Sequence, residues 1–328
     1  MTDTSLFSQI SATVKSRYPA PIAGAFQKLR NTPEEDLGGR QKSLIDLFEV
    51  FIKFLTVLFL QEARKGISNL REMLPQREKT FEFLKKPSLG SWIRLLRTLS
   101  EIETPLKSVW ISPIAKWFKT PKSQEFREVF QRLEGIPNLN FEPKSKTPIA
   151  EICNSLVTYR NKYAHGAHIL PEEMERRLLI VEHVIAVLLS SASFLEDFPL
   201  VHVEKIELAP DDSWKVHSTK FMGNQVELFT FTTVEKLDLF EVYSQAPRTS
   251  DQQLLLKLSP FMLCRAAEGM MQKEIFLFNS AGRSDLEYLS YSSGNYYIHK
   301  ELLSDFNDLV ELKFKPGQEE DRFKSLSP

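Results

Sequence analysis

The spacing of the apolar residues changes near Phe198-Pro199, and this change limits the folds that the chain can adopt. Before that point apolar residues recur at three- and four-residue steps, which is typical of helices that bury one face. After it they alternate with polar residues, which is typical of strands. The chain has 328 residues, enough for two domains of roughly 100–200 residues each. We therefore predict an α+β fold, with an all-α helical bundle over residues 1–197 and an antiparallel β-rich domain over residues 198–328.

Four helices are predicted in the first part of the chain. Their predicted bounds are Leu44 to Lys65, Leu89 to Ile102, Pro148 to Tyr163 and Pro171 to Leu195. The last helix is acidic at its start and apolar from Leu178 onward, as the helix dipole and a buried face favour. Together these helices predict a bundle whose apolar faces form a core.

The most apolar run, Leu44 to Leu60, is long enough to suggest a membrane-spanning helix. Asp46, Glu49 and Lys53 interrupt it. A charge at the bilayer centre costs about 2.5–3.5 kcal/mol on the most lenient insertion scale, so these charges favour a buried helix of a soluble bundle. Glu49 and Lys53 are four residues apart. Their spacing fits either an internal ion pair or two groups that face a catalytic cleft, and both interpretations stay open.

The second part of the chain is predicted to form short antiparallel hairpins. Its alternating segments lie around Val201 to Ile206, Val226 to Phe231 and Ile275 to Asn279. Turn-forming residues separate the strands, at Ala209 to Asp212, Gly223-Asn224 and Ser293 to Asn295. A short helix is predicted from Lys300 to Leu309, near the end of the chain.

Two other features of this part have structural explanations. The segment Asn279 to Ser284 follows a strand, but it has one glycine and no Lys-Ser or Lys-Thr ending. We therefore predict a hairpin turn there rather than a phosphate-binding loop. The second feature is an aromatic group, formed by Tyr288, Tyr291, Tyr296 and Tyr297. We predict that these rings serve core packing and cross-strand pairing rather than base stacking.

The distribution of charge follows the same division. Residues 1–197 contain 28 Lys and Arg against 23 Asp and Glu, and residues 198–328 contain 14 against 20, so the net charges are +5 and −6. The most basic stretch, Arg64 to Lys122, contains 13 basic and 5 acidic residues, with aromatic residues between them. Such a surplus is often the solvated face of helices, and it also suits an anionic polymer.

The chain contains two cysteines, Cys153 and Cys264, far apart in sequence. They make neither a disulfide framework nor a four-thiolate zinc site, so we expect a reducing compartment, the cytoplasm. The first fifteen residues do not resemble a secretory signal. His165, His168 and His183 lie near Cys153 in sequence, but at no recognised metal spacing. We therefore expect no metal site and no cofactor.

The end of the predicted Pro148 to Tyr163 helix carries residues suited to chemistry on a phosphate. Arg160 has a permanent charge on a planar fork that matches a phosphate with two parallel hydrogen bonds. His165 titrates near neutral pH and is able to move a proton. Asn161 and His165 are four residues apart, so they share one side of the helix if it continues, with Arg160 on the adjoining flank.

The neighbouring residues complete the candidate site. The apolar stripe that ends in Tyr159 and Tyr163 occupies another face of the helix, which leaves the polar residues free to point into a cleft. Lys162, Tyr163 and Tyr159 are the candidates for substrate binding, and Arg160, Asn161 and His165 are the candidates for catalysis.

These residue types suit the cleavage of RNA without a metal. A base removes the proton from the ribose 2′-hydroxyl, which attacks its own phosphodiester; an acid protonates the leaving 5′-oxygen, and a cation stabilises the charge on phosphorus. One Arg and one His supply half of these groups, and two copies that face each other across a twofold axis supply all of them. We therefore predict a homodimer joined through these helices, active on RNA and inactive on DNA, which lacks the 2′-hydroxyl.

This motif resembles that of the HEPN domain (higher eukaryotes and prokaryotes nucleotide-binding). Members of that family carry an Arg, four to six further residues and a His between the last two helices of a small α-helical bundle. Arg160 and His165 have four residues between them, and Asn161 matches the Asn that often follows the Arg. The resemblance implies a metal-independent, dimeric endoribonuclease, common in bacterial toxins, anti-phage systems and CRISPR-associated effectors. It also implies that Arg160 and His165 are catalytic and that Asn161 orients or binds the phosphate.

The resemblance covers the helical part, most securely Leu44 to Leu195, and does not extend to the sheet. We expect the β-rich domain to sense a signal or to bind a regulatory protein or ligand. The region between Lys65 and Lys146 is longer than a minimal HEPN bundle needs, so we expect an insertion or additional helices there that cap or regulate the site.

Three alternatives stay open. Some family members lack nuclease activity, so the chain also fits a catalytically inactive module that binds nucleic acid or nucleotides. It fits a protein-interaction scaffold as well, in which the acidic sheet docks on a basic partner. In a purely structural interpretation of the motif, Arg160 pairs with Glu151 or Glu172 and His165 caps a helix end.

Overall fold

The computed structural model describes residues 6–66, 82–101, 108–119, 124–137, 139, 148–163, 170–246, 254–266 and 272–310. Helices dominate the first part of the described chain. They are α1 (Leu6–Arg17), α2 (Ala20–Asn31), α3 (Leu37–Gly66), α4 (Leu89–Glu101), α5 (Ile111–Phe118), α6 (Gln124–Glu134), α7 (Pro148–Tyr163) and α8 (Pro171–Ser191). Two short 3₁₀ segments, Glu82–Lys85 and Ser193–Asp197, accompany them.

Antiparallel strands follow, and a ninth helix closes the described chain. The first five strands are β1 (Leu200–Leu208), β2 (Trp214–Met222), β3 (Gln225–Thr233), β4 (Val242–Gln245) and β5 (Leu255–Lys257). They form one sheet in the order β3-β2-β1-β4-β5. The remaining elements are β6 (Met262–Ala266), β7 (Lys273–Ala281), β8 (Leu286–Leu289), β9 (Tyr296–His299) and α9 (Leu303–Val310). Strands β6 to β9 form a second sheet in sequence order.

The predicted α+β fold is confirmed, with a helical N-terminal part and antiparallel sheets after it. All four predicted helices of the first part are present within a few residues of their expected bounds, except that α3 begins at Leu37 and α8 gives way to 3₁₀ turns. The early start of α3 follows from an N-cap that the apolar pattern does not reveal. Asp36 Oδ1 accepts a hydrogen bond of 2.8 Å from the amide of Gly39, and carboxylate caps stabilise the first turn of a helix.

Helix α3 is the central element of the helical part. Its apolar residues are buried along most of its length, from Leu44 to Ala63, because helices pack on several sides of it. Helices α1, α2, α5 and α6, which the apolar pattern did not predict, pack with the others around this core. Among the described residues, no helix is both long and apolar enough to cross a membrane.

The five-stranded sheet rests on the helices through a hairpin turn. The turn between β2 and β3 falls at the predicted Gly223-Asn224, and its two amides donate to α1 and the residue after it. Gly223 N lies 2.6 Å from the carbonyl oxygen of Tyr18, and Asn224 N lies 2.8 Å from that of Lys15. Gly223 has a φ of 60°, and a Cβ there would collide with the backbone of Lys15 and Ser16. The turn therefore satisfies carbonyl groups that the end of α1 leaves without helical partners.

The four-stranded sheet packs more deeply among the helices. Trp92 of α4 meets Phe261 and Phe278 edge to face, with ring centroids 6.2 Å and 6.5 Å apart. Phe306 of α9 lies 4.8 Å from Phe278, measured between ring centroids. These rings belong to one buried cluster that runs from Phe7 to Leu309. The secondary structure therefore changes where the sequence predicts, but the buried core continues across residue 198.

Candidate functional site

The candidate site lies at the C-terminal end of α7. The apolar stripe of this helix is buried, and its last members, Leu156 and Tyr159, are 0% and 1% exposed. Arg160, Asn161 and Lys162 follow directly and are all exposed. The last turns of α7 thus have one face buried in the core and another, polar face exposed to solvent, as the three- and four-residue spacing predicts.

Tyr159 holds this end of α7 in place. Its ring is buried, and its hydroxyl accepts a hydrogen bond of 3.2 Å from Nε2 of Gln41 on α3. The sequence predicts that Tyr159 contacts substrate, but the structure turns its ring inward and leaves almost none of the ring exposed to a ligand. Tyr159 instead fixes the helix from which Arg160 extends.

Arg160 and Asn161 form a small polar unit on the surface. Arg160 Nη1 donates a hydrogen bond of 3.2 Å to Oδ1 of Asn161. Within the described part of the chain, no carboxylate forms an ion pair with Arg160, so the suggested pairs with Glu151 and Glu172 are not formed. An exposed guanidinium held only by a neutral amide is available to an anionic ligand.

Two of the predicted site residues, His165 and Tyr163, are not described in full. His165 lies outside the described residues, as does His168, and Tyr163 is described only as the last residue of α7. The structure does show that α7 ends at Tyr163 and that α8 starts at Pro171. Arg160 and Asn161 therefore lie in the last turn of α7, and α8 is the next helix of the described chain. The distance between Arg160 and His165 stays a prediction.

A buried polar network lies next to this surface. Lys53 on α3 is 2% exposed, and its Nζ lies 2.8 Å from Glu49 Oε1 and 2.7 Å from the hydroxyl oxygen of Tyr291. The Tyr291 hydroxyl donates in turn to Glu49 Oε1 at 2.9 Å. Glu49 and Lys53 therefore form the internal ion pair, which was one of the two interpretations left open. Tyr291 belongs to the turn between β8 and β9, so the network joins the second sheet to α3.

The electrostatics of Glu49 connect this network to Arg160. Burial acts to raise the pKa of Glu49, but the Lys53 ammonium, the Tyr291 hydroxyl and the charge of Arg160 outweigh it and hold the pKa below its usual value. Burial and the Glu49 carboxylate both raise the pKa of Tyr291 well above 10. At neutral pH the network therefore contains one ammonium, one carboxylate and one neutral phenol.

A second buried group, His202 on β1, behaves differently. It is 2% exposed, and neither ring nitrogen has a hydrogen-bond partner in the described structure. Its Nδ1 lies 3.8 Å from Glu204 Oε1, but Glu204 is already held by Lys273 Nζ at 2.7 Å. Burial, with the nearby Lys273 charge, lowers the pKa of His202 to about 4. The imidazole is therefore neutral at pH 7.

The other sequence features have structural roles. In the described residues, no three His, Cys, Asp or Glu side chains come together as a metal site would require. Cys153 and Cys264 are both free and buried, and burial raises the pKa of the Cys264 thiol to about 12. The segment Asn279 to Ser284 contains the end of β7 and a tight turn, closed by a hydrogen bond of 2.8 Å from Gly282 N to the carbonyl of Asp285. The predicted hairpin turn is confirmed.

No protein-family model matches this chain, and no curated protein or solved structure is significantly similar to it. An argument about function therefore has to start from the site itself. Its usable groups are an exposed guanidinium, the amide beside it, a nearby lysine and the histidine that follows in sequence.

Proposed function

We propose that the protein is a metal-independent endoribonuclease of the HEPN type, which acts as a homodimer with a composite Arg and His site. Arg160 stabilises the charge that develops on the scissile phosphate, and Asn161 orients the guanidinium or binds a phosphate oxygen. His165 exchanges protons with the 2′-hydroxyl and the 5′-oxygen. Lys162 and Tyr163 contribute contacts to the substrate.

The observation that carries the proposal is the state of Arg160. A surface arginine without a function usually pairs with a carboxylate or lies along the surface, where an ion pair contributes little. Arg160 instead has the oxygen of a neutral amide as its hydrogen-bond partner, although acidic residues precede and follow it in the chain. It sits at a helix end whose position is fixed by the buried Tyr159. A fixed helix end and an exposed guanidinium that forms no ion pair with the described residues suit the binding of phosphate.

The Glu49 carboxylate, which interacts electrostatically with Arg160, supports a positioning role for the network. Lys53 and Tyr291 both bind Oε1 of Glu49, so much of the carboxylate charge is compensated before it acts on Arg160. The carboxylate attracts Arg160 without taking it up as a hydrogen-bonded partner. This arrangement leaves the guanidinium fork available for a phosphate.

The first experiment is an RNA cleavage assay with the full chain in EDTA. We expect cleavage of single-stranded or structured RNA with 2′,3′-cyclic phosphate ends, and none of DNA of the same sequence. Arg160→Ala and His165→Ala are each expected to lower the rate by about 10²–10³-fold, as expected for the loss of a transition-state donor or a proton-transfer group. Circular dichroism and light scattering should show an unchanged fold and dimer.

Two matched variants serve as controls. Arg132→Ala removes an exposed arginine from α6, and His217→Ala removes a histidine from β2; both should cleave like the wild type. Cleavage that survives both Arg160→Ala and His165→Ala, or that disappears only with EDTA, contradicts the proposal. Tight, salt-sensitive RNA binding without cleavage supports the inactive binding module in its place.

The cellular setting follows from the same chemistry. An RNA-cleaving dimer acts where RNA is present, and two buried free cysteines suit a reducing compartment, so we place the protein in the cytoplasm. The resemblance suggests a toxin or an anti-phage effector. Induced expression should then stop growth and degrade RNA, and Arg160→Ala should remove both effects.

A further inference from the structure

A groove lies between α2 and the two sheets. None of the residues that line it belongs to α7. Its volume is about 560 Å³, which lies within the range of roughly 300–1,000 Å³ that is typical of small-molecule sites. One wall is α2, and the opposite wall is the turn between β2 and β3 with the start of β3. The start of β7 and the turn between β8 and β9 close the remaining sides.

The groove is shaped by two close backbone approaches. The turn at Gly223 is tied to the end of α1 by its amides, so this wall does not depend on side-chain packing alone. On the other side, Gly24 of α2 faces Ser292, and a Cβ at position 24 would collide with the Ser292 hydroxyl. Glu274 holds the same turn by accepting hydrogen bonds from Ser290 and from Ser293, the latter at 2.8 Å. The groove is therefore formed before any ligand arrives.

Carboxamide side chains dominate its polar lining. They are Gln27, Asn31, Asn224, Gln225 and Gln272. Three of them are already ordered by each other: Gln27 Nε2 donates to Asn31 Oδ1 at 2.6 Å, and Asn224 Nδ2 donates to Gln27 Oε1 at 3.4 Å. Because each carboxamide has two N–H donors and an oxygen with two lone pairs, such a chain still has hydrogen-bonding capacity left for a ligand.

Both lysines at the groove are paired with carboxylates. Lys28 lies 3.4 Å from Asp46, and Lys273 lies 2.7 Å from Glu204, measured between Nζ and the carboxylate oxygens. The third charged residue of the lining, Glu274, is an anion. With both lysines paired and a carboxylate present, the groove does not favour a phosphate or another anion. Its occupant is a neutral molecule with many hydrogen-bonding groups.

We propose that this groove binds a neutral nucleoside, and reads its base through the carboxamides. Asn and Gln place a donor and an acceptor side by side, which matches the paired donor and acceptor on the edge of a nucleobase. The apolar lining, from Pro21, Val226 and Ile275, suits the face of a base better than the hydroxyl-covered face of a sugar. The site is separate from Arg160 and does not rest on the proposed nuclease activity.

Calorimetric titration of the full chain with the four ribonucleosides tests the proposal. We expect saturable binding of at least one of them, with free ribose and a neutral dipeptide much weaker. The 5′-monophosphate of the same nucleoside should bind no more tightly than the nucleoside. Raising the salt concentration from about 50 mM to about 500 mM should leave the nucleoside affinity unchanged, because no net charge is neutralised on binding.

Substitutions in the lining locate the site. Gln27→Met and Gln225→Met should each weaken binding about fivefold to tenfold, the usual effect of losing one hydrogen bond. Asn31→Trp should abolish it by filling the groove. Gln131→Met, at an exposed position of α6, is the matched control and should bind like the wild type. Circular dichroism checks that each variant is folded.

Four results would overturn the proposal, of which three concern the nucleosides themselves and the groove variants. These three are the absence of saturable binding by all four nucleosides, binding that requires the phosphate and weakens with salt, and binding that Gln27→Met, Gln225→Met and Asn31→Trp leave unchanged. A preference for ribose or for the dipeptide over every nucleoside also overturns it. Arg160→Ala should bind nucleoside normally, so failure of this proposal and failure of the nuclease proposal are distinguishable.

Discussion

The two cationic side chains that lower the pKa of Glu49, Lys53 and Arg160, are in opposite situations. Lys53 is 2% exposed and is bonded to both Glu49 and Tyr291, whereas Arg160 is exposed and, among the described residues, is bonded to the amide of Asn161 alone. A buried charge requires partners because it has lost its water, and an exposed one does not. The comparison teaches that Glu49 interacts with two cations of different kinds. Lys53 is part of the folded core, whereas Arg160 is available to a ligand.

The largest loss of stability is expected from Lys53→Met, which removes the buried cation of the comparison. The methionine leaves the Glu49 carboxylate buried without its counter-ion, and breaking a buried pair costs about 3–5 kcal/mol. Urea unfolding at pH 7 measures the loss. Lys65→Met changes an exposed lysine on the same helix and should alter the free energy of unfolding by less than about 0.5 kcal/mol.

A double variant separates the ion pair from simple packing. Lys53→Met combined with Glu49→Leu removes both charges, so most of the loss should be recovered. If the stability loss of the double variant equals the sum of the losses of the two single variants, the two side chains do not interact. Lys53 would then not be the partner of Glu49 that the comparison requires.

Tyr291→Phe is expected to have the next largest effect. It removes a buried hydroxyl that accepts from Lys53 and donates to Glu49, and hydrogen bonds to charged groups contribute about 1.5–3 kcal/mol. The loss should appear in the free energy of unfolding. Tyr296→Phe, at an exposed position in the same region, should have almost no effect. Equal losses in the two variants would contradict the network.

The apolar pattern of α3 predicts a buried helix with two charges on it, but not what satisfies those charges. Tyr291 is 238 residues from Lys53, and the alternating pattern shows only that its ring is suited to a core. The turn at Gly223-Asn224 is predictable from glycine chemistry, while its docking on α1 is not, because that contact depends on tertiary packing. The exposure of Arg160 follows from helical spacing. The groove has no sequence signal, because four separate segments contribute its walls.

His202 extends the comparison, because it is buried, has no hydrogen-bond partner among the described residues and stays neutral. Its folded pKa of about 4 lies below the usual 6.5, so the unfolded chain binds more protons in the window between these values. Folding stability should therefore fall as the pH falls from 7 to 5, by about 2 kcal/mol from this residue. His202→Leu should lose less stability than the wild type over the same interval. Parallel unfolding curves for the two proteins would show that His202 does not titrate as described.

The smallest effect is expected from Arg160→Ala, which tests whether the available cation is dispensable for the fold. Its guanidinium is exposed, so the free energy of unfolding at pH 7 should change by less than about 0.5 kcal/mol. One favourable charge is nevertheless lost beside Glu49, so the pKa of that carboxyl should rise toward its usual value, as carbon-detected NMR titration would show. A lowered Glu pKa stabilises the fold above the unfolded pKa and loses this contribution as the pH falls through the folded pKa. Arg160→Ala should therefore be slightly less stable than the wild type above that window and equal to it in stronger acid. A large loss of stability at pH 7 would instead place Arg160 with Lys53, as a cation that the fold requires.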